Sequence, residues 1–198
     1  MKAGESLRVF LGVPLGEAFA TDCQFWMTRL RPSWPDVRWV KPAQVHLTLH
    51  FFGAITAGQV GEIRDMLTPV IAVHKPLILG IKGLGFFPDA KQPRILWMGL
   101  SGDLEKLKKL QRAIEERLRS KAYPIESRDF QPHVTIGRFQ TNAPPLKHSE
   151  ASRFEERPRL PEVQLELCKF ERVHLYRSRL TPQGPQYEIL ETFLLSQK

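Results

Sequence analysis

The sequence predicts one domain that combines helices with strands and is built around an internal duplication. Runs rich in β-forming residues alternate with helical patterns, and the order strand, helix, strand occurs twice. Each copy ends in the same His-x-Thr pair, at His46 and Thr48 in "VHLTLHFFG" and at His133 and Thr135 in "PHVTIGRF". A buried core histidine would explain either pair alone, but it does not readily explain both.

The first copy covers roughly residues 7–53. Its opening stretch "LRVFLGV" is rich in β-forming residues, and the following stretch 15–30 repeats apolar residues at helical spacing. After the turn-like "RPSWPD" come a short strand "VRWV", a proline-containing break and the strand "HLTLHFFG". The pattern predicts a strand, a helix and two further strands.

The second copy covers roughly residues 93–139. A helix over 57–73 and a strand "LILGIKGLGFF" connect the two copies. The second copy then consists of the strand "RILWMGL", the regular helix "DLEKLKKLQRAIEERLR" and the strand "HVTIGRF". The separation from Arg8 to His46 is 38 residues and that from Arg94 to His133 is 39.

The remainder of the chain is predicted to complete the sheet. Residues 140–162 hold four prolines and many charges, the composition of a surface connection. "VQLELCKFERVHLYRSRL" and "PQYEILETFLL" follow on either side of "TPQGP" and read as an antiparallel pair. We expect residues 1–198 to form a single two-lobed domain.

Composition places the chain among ordinary globular proteins. Of 198 residues, 42% are apolar and 25% charged, so a sizeable core is available. The net charge of +8 fits either a solvated basic surface or a polyanionic partner such as nucleic acid. Two cysteines are too few for a disulfide framework. With no membrane span and a poor match to a signal peptide, a cytoplasmic protein is expected.

The His-x-Thr pairs are suited to acid–base chemistry. Side chains two apart on a strand share one face, so His46 projects with Thr48, and His133 with Thr135. If the two copies pack about a pseudo-twofold axis, all four side chains meet in one cleft. Two imidazoles can then act as general acid and general base in phosphodiester cleavage, while threonine hydroxyls contact the phosphoryl oxygens. No metal or other cofactor is required.

A metal site is the alternative, because His46 and His50 have the spacing of zinc ligands on a helix. On a strand these two residues lie roughly 13 Å apart, too far to share one ion. The glutamate of the helical zinc motif is also missing, since Leu47, Thr48 and Leu49 fill the intervening positions.

Two further residues are weaker candidates for substrate binding. The guanidinium of Arg138 suits phosphate, but strict alternation points it away from His133 unless Gly137 marks a bulge; otherwise it is a solvated arginine. Phe52 shares the His46 face under strict alternation and is able to stack on a base or to pack in the core. We assign no role to three other histidines, His74, His148 and His174.

The paired motifs "HLTLHFFG" and "HVTIGRF" resemble those of the RNA 2′,3′-cyclic phosphodiesterases, also called the 2′-5′ RNA ligase family, within the two-histidine phosphoesterases. "VRWVKPAQVHLTLHFFG" and "LYRSRLTPQGPQYEIL" extend the resemblance almost end to end. It implies a bilobal α+β fold, with two pseudo-symmetric antiparallel-sheet lobes, outer helices and a central cleft. It also implies hydrolysis of a terminal 2′,3′-cyclic phosphate to a 2′-phosphate.

Within that resemblance His46 donates a proton to the departing 3′ oxygen and His133 accepts one from water, although the similar motifs leave the reverse assignment open. The partner is an RNA with a 2′,3′-cyclic phosphate terminus, and we expect a monomer. The resemblance also allows reverse 2′-5′ RNA ligation beside the hydrolysis. Alternatives are a phosphodiesterase of 2′-5′ oligonucleotides or small cyclic nucleotide phosphates, and an RNA-binding module with vestigial catalytic residues. The intact motifs argue against the last.

Overall fold

A computed structural model describes residues 6–139, 167–182 and 184–196. This part of the chain contains three α-helices, two short 3₁₀-helices at Arg31–Ser33 and Pro42–Gln44, and nine strands. The α-helices are α1 (Glu17–Leu30), α2 (Ala57–Ile71) and α3 (Leu104–Arg119). The strands are β1 (Leu7–Pro14), β2 (Val37–Trp39), β3 (His46–Ile55), β4 (Leu77–Phe87), β5 (Ile95–Gly102), β6 (His133–Phe139), β7 (Cys168–Phe170), β8 (Arg172–Thr181) and β9 (Gly184–Leu194).

These elements confirm the strands and helices predicted in both copies, and the late antiparallel pair is the hairpin β8–β9. The helix predicted over 57–73 ends two residues earlier, at Ile71. The predicted surface connection 140–162 lies outside the described residues.

The strands join into one antiparallel sheet in the order β7-β4-β5-β6-β3-β1-β8-β9, and β2 pairs with β6. The α+β class is therefore confirmed. The pairing of Leu47 in β3 with Val134 in β6 joins the strands of the two copies into this one sheet. The bilobal, pseudo-symmetric arrangement of the two copies stays a prediction.

The hydrophobic core is one cluster in which the three α-helices pack with buried residues of the sheet. Leu47 and Val134, the middle residues of the two His-x-Thr motifs, are both buried in it, as the alternation predicted. Burying one such side chain contributes roughly 1.5–3 kcal/mol to the free energy of unfolding. Each helix adds an apolar stripe to the same cluster, in which Phe19, Leu67 and Leu107 are almost fully buried. Burial of these middle residues turns His46 and His133 to the opposite face.

Helices α2 and α3 begin at recognisable sequence signals. The Thr56 hydroxyl accepts a hydrogen bond from the Gln59 backbone N–H, and the Gln59 side chain accepts one from the Thr56 backbone, which is a capping box for α2. Asp103 precedes α3, where its carboxylate accepts a hydrogen bond from the Ile78 N–H and pairs with Lys106. No helix in the described ranges has the length and apolar character needed to cross a bilayer.

Candidate active site

The two His-x-Thr pairs lie side by side at the centre of the sheet. The antiparallel register that sets Leu47 against Val134 places His46 beside Thr135 and Thr48 beside His133. All four side chains are partly exposed, whereas the residues between them are buried. The structure therefore brings together, on one open face, four residues that the sequence separates into two distant motifs.

Both imidazoles are held by the same kind of contact. His46 Nδ1 lies 2.7 Å from the Gln44 carbonyl oxygen, and His133 Nδ1 lies 2.8 Å from that of Gln131. A carbonyl only accepts hydrogen bonds, so each Nδ1 carries the proton and donates it. The free nitrogen of each neutral ring is then Nε2, which is able to accept a proton, or to donate one when the ring is charged.

The surroundings lower the pKa of both histidines. For His46 the main cause is burial, and the positive charges of His133 and Arg138 add to it, while the Gln44 carbonyl opposes the shift. For His133 burial again dominates, opposed by the Gln131 carbonyl and by the carboxylate of Glu126. Both rings are therefore biased towards the neutral form near pH 7, and they differ in the charge that faces them.

Aromatic side chains wall each histidine. The Phe10 ring centroid is 4.6 Å from that of His46, and the Tyr187 centroid is 5.0 Å away. On the other side, Phe87 lies 4.9 Å and Trp97 6.0 Å from His133. These walls lower the local dielectric constant, which strengthens electrostatic interactions inside the site.

The hairpin β8–β9 folds back towards this site. The Gln44 side-chain amide donates a hydrogen bond of 2.5 Å to the Pro185 carbonyl near the start of β9. The same Gln44 accepts the hydrogen bond of His46, so one residue links the hairpin to the imidazole. The position of the hairpin brings Tyr187 of β9 into contact with His46.

Arg138 shares the face of Thr135. The pairing of β6 with β5 skips Ile136, so that Thr135 faces Trp97, Gly137 faces Leu96 and Arg138 faces Ile95. This one-residue bulge reverses the alternation, since Trp97 and Ile95 lie on one face of β5. The sequence allowed for a bulge at Gly137, and the structure places it one residue earlier, at Ile136. The effect of Arg138 on the pKa of His46 agrees with this position.

Phe52 is placed elsewhere, and the expectation from strict alternation is corrected here. The register between β1 and β3 skips Leu49 and Phe52, so the face alternation changes along β3. Phe52 is 7% exposed and packs on His50 and on Tyr123, which follows α3. Phe51, 58% exposed and 5.7 Å from Phe10, lies on the histidine side instead.

The same change of face bears on the metal alternative. His50 is 5% exposed and pairs with Leu11, a core residue of β1, so it lies across the sheet from His46. These two histidines are therefore unable to share one ion. In the described ranges no cluster of three or more histidine, cysteine or acidic side chains could hold a metal ion.

Sequence reasoning missed the second layer of the site. The supporting carbonyls belong to Gln44 and Gln131, each two residues before its histidine, and this repeated Gln-x-His spacing was an available signal. Phe10, Phe87, Trp97 and Tyr187 had none, because each reads as an ordinary aromatic residue of a strand. Only the packing of separate strands assembles them into walls.

Comparison with known proteins identifies similar sequences. A sequence model of the 2′-5′ RNA ligase superfamily matches residues 19–181. The RNA 2′,3′-cyclic phosphodiesterase of Methanothermobacter thermautotrophicus is 30% identical over 189 residues, which cover 96% of this chain and 99% of that protein. The enzyme of the same name from Aquifex aeolicus is 35% identical over 160 residues, covering 80% of this chain and 81% of that one.

Solved structures show the same fold. The crystal structure of TT0787 from Thermus thermophilus matches with a TM-score of 0.78 at 24% identity, over 97% of this chain and 100% of that one. Escherichia coli LigT in its apo form matches with a TM-score of 0.75 at 19% identity, over 98% of this chain and 100% of that one.

Proposed function

The chain belongs to the 2′-5′ RNA ligase superfamily, and we propose that it hydrolyses the 2′,3′-cyclic phosphate at the end of an RNA to a 2′-phosphate. The observation that carries the proposal is the pair of neighbouring imidazoles, each with Nδ1 bound to a backbone carbonyl and Nε2 left to exchange a proton. Curated relatives named RNA 2′,3′-cyclic phosphodiesterase support the substrate class.

In the proposed reaction His133 Nε2 removes a proton from water, and the water oxygen attacks the cyclic phosphorus. The bond between phosphorus and the 3′ oxygen breaks, and His46 Nε2 supplies the proton that the 3′ oxygen takes up. The phosphate stays on the 2′ oxygen. Thr48 and Thr135 donate hydrogen bonds to the phosphoryl oxygens as negative charge develops, and Arg138 offsets that charge.

The charges around the two rings support this division of roles. In the reactive form, in which His133 is neutral, burial and the charge of Arg138 lower the pKa of His46, which makes its protonated form a stronger acid. Glu126 acts on His133 in the opposite direction, which makes that ring a better base. The reverse assignment would have each ring work against its electrostatic surroundings.

The pH dependence of kcat/KM should reflect the two lowered pKa values. His46 must be protonated and His133 neutral, so the rate falls above the higher pKa and below the lower one. Because burial moves both pKa values below about 6.5, the bell should be centred on the acid side of that pH. A profile of kcat/KM between pH 4 and 9, roughly the range over which imidazole titrates in proteins, measures its centre.

Two variants extend the pH measurement. Arg138→Ala removes a charge that lowers the pKa of His46 and should move the bell to higher pH. Glu126→Gln removes a charge that raises the pKa of His133 and should move it to lower pH. Shifts in the opposite directions would contradict the assigned electrostatics.

The deciding experiment is incubation with an RNA ending in a 2′,3′-cyclic phosphate, with a chelator present, followed by location of the phosphate in the product. We expect full activity and a 2′-phosphate, because protein side chains perform both proton transfers. Loss of activity in chelator with recovery on adding Zn²⁺ would reject the metal-independent mechanism. RNA binding without turnover would favour the non-catalytic module.

A further inference from the structure

Two arginines face each other across the edge of the site. In the antiparallel pairing of β2 with β6, Arg38 lies directly opposite Arg138, and both side chains are exposed. Like charges in opposite positions on neighbouring strands repel each other. Within residues 6–139, 167–182 and 184–196, no carboxylate forms an ion pair with either arginine. An anion bound between the two guanidinium groups would offset their repulsion.

The arginine pair lies beside the two histidines. β2 and β3 pair with the same edge of β6, at residues 137–139 and at Val134 respectively. Arg138 is three residues beyond Thr135, which corresponds to roughly 10 Å along a strand. Arg138 lies near enough to His46 to lower the pKa of that histidine. Arg38, on the outer strand β2, is therefore the member of the arginine pair that lies farther from the histidines.

The Arg38 guanidinium lies close to the start of β9 in the hairpin β8–β9. A side chain added at Gly184 would meet the Arg38 Nη2 atom at 3.8 Å and the Gln44 side-chain amide at 3.6 Å. Gln44 is the residue whose carbonyl holds His46. Arg38 therefore lies near the residue that holds His46, on the side of the site where β9 begins.

From this juxtaposition we propose that Arg38 forms a second phosphate subsite, which binds the internucleotide phosphate on the 5′ side of the terminal nucleotide. This subsite rests on the proposed function, and it specifies the substrate class as oligonucleotides of two or more nucleotides. A guanidinium binds phosphate oxygens through two parallel hydrogen bonds, and an anion between Arg38 and Arg138 also removes their repulsion. A nucleoside 2′,3′-cyclic phosphate lacks this second phosphate.

The test compares two substrates, a nucleoside 2′,3′-cyclic phosphate and a dinucleotide of the same base that ends in the cyclic phosphate. The ratio of their kcat/KM values should favour the dinucleotide in the wild type. In Arg38→Ala this ratio should fall about tenfold, the effect of one lost charge-assisted contact. Arg38→Lys keeps the charge but not the fork, so it should restore part of the ratio.

Arg117→Ala is the matched control, since it removes one exposed charge from the last turn of α3. It should leave the ratio at the wild-type value. The salt dependence supplies a second readout: in Arg38→Ala the slope of log kcat/KM against log salt for the dinucleotide should become shallower by roughly 0.7. Thermal denaturation of each variant reports whether its fold is intact.

Two outcomes would overturn the subsite: an unchanged ratio in Arg38→Ala, or equal losses for both substrates. If the wild type cleaves neither substrate, the proposed function fails, and binding decides the subsite separately. The probes are then a dinucleotide with a terminal 2′-phosphate and the corresponding nucleoside 2′-phosphate. Preference for the dinucleotide that Arg38→Ala removes supports the subsite, and equal binding of the two probes rejects it.

Discussion

His46→Ala and His133→Ala are each expected to lower turnover of an RNA 2′,3′-cyclic phosphate by about 10²- to 10⁴-fold, the usual contribution of a positioned acid or base. Each ring projects from the open face of the sheet, while the neighbouring Leu47 and Val134 supply the buried contacts. Both variants should therefore fold. Steady-state hydrolysis and thermal denaturation, measured on the same preparations, separate the two effects.

His74→Ala provides the control for the histidine variants. His74 follows α2, and the hydrogen bonds described for it are made by its backbone N–H, to the Ile71 carbonyl, and by its own carbonyl, from the Ser196 N–H. Its removal should leave turnover at the wild-type level. Near wild-type turnover in either His46→Ala or His133→Ala would show that the two-histidine mechanism is wrong.

Thr48→Val and Thr135→Val should produce the second-largest effect. Valine keeps nearly the same shape but removes the hydroxyl that, in the proposed mechanism, donates a hydrogen bond to the reacting phosphoryl group. A donor of this kind stabilises a transition state by roughly 2–4 kcal/mol. We expect kcat to fall correspondingly for both the nucleoside and the dinucleotide substrate, because each carries the same reacting group.

A variant that carries both Thr48→Val and Thr135→Val tests whether the two hydroxyls act on the same group. Two donors on one phosphoryl group act on the same charge, so the combined loss should differ from the sum of the single losses. Thr68→Val on α2 removes a hydroxyl that bonds only its own helix, to the Arg64 carbonyl, and should not change kcat. Wild-type kcat in both single variants would mean that the threonines serve only as strand-forming residues.

Most of the secondary structure could be predicted from the chain. Helix α3 has apolar residues at strict helical spacing, and β4 coincides with the run "LILGIKGLGFF". The same local rule placed Leu47 and Val134 in the core and so turned the histidines and threonines outward. These predictions succeed because they depend on neighbours within a few residues.

The orientation of Arg138 and Phe52 could not be predicted in the same way. Each lies beyond a position where a strand has one residue more than its partner, at Ile136 in β6 and at Leu49 in β3. A bulge is set by the pairing of two strands, so the sequence of one strand does not reveal it. One residue of slip exchanges the two faces, which brought Phe51 rather than Phe52 to the histidine side.

Local patterns along the chain were enough to predict the helices and strands, the inward and outward residues of the two motifs, and the chemistry that paired histidines and threonines allow. Only the folded chain shows that one sheet joins the two halves, that Gln44 and Gln131 orient the imidazoles, and that Arg38 faces Arg138. The difference comes from how far apart in the chain the interacting residues lie. Side-chain periodicity is a property of one segment, whereas strand register and close contacts arise only when segments far apart in the chain pack together.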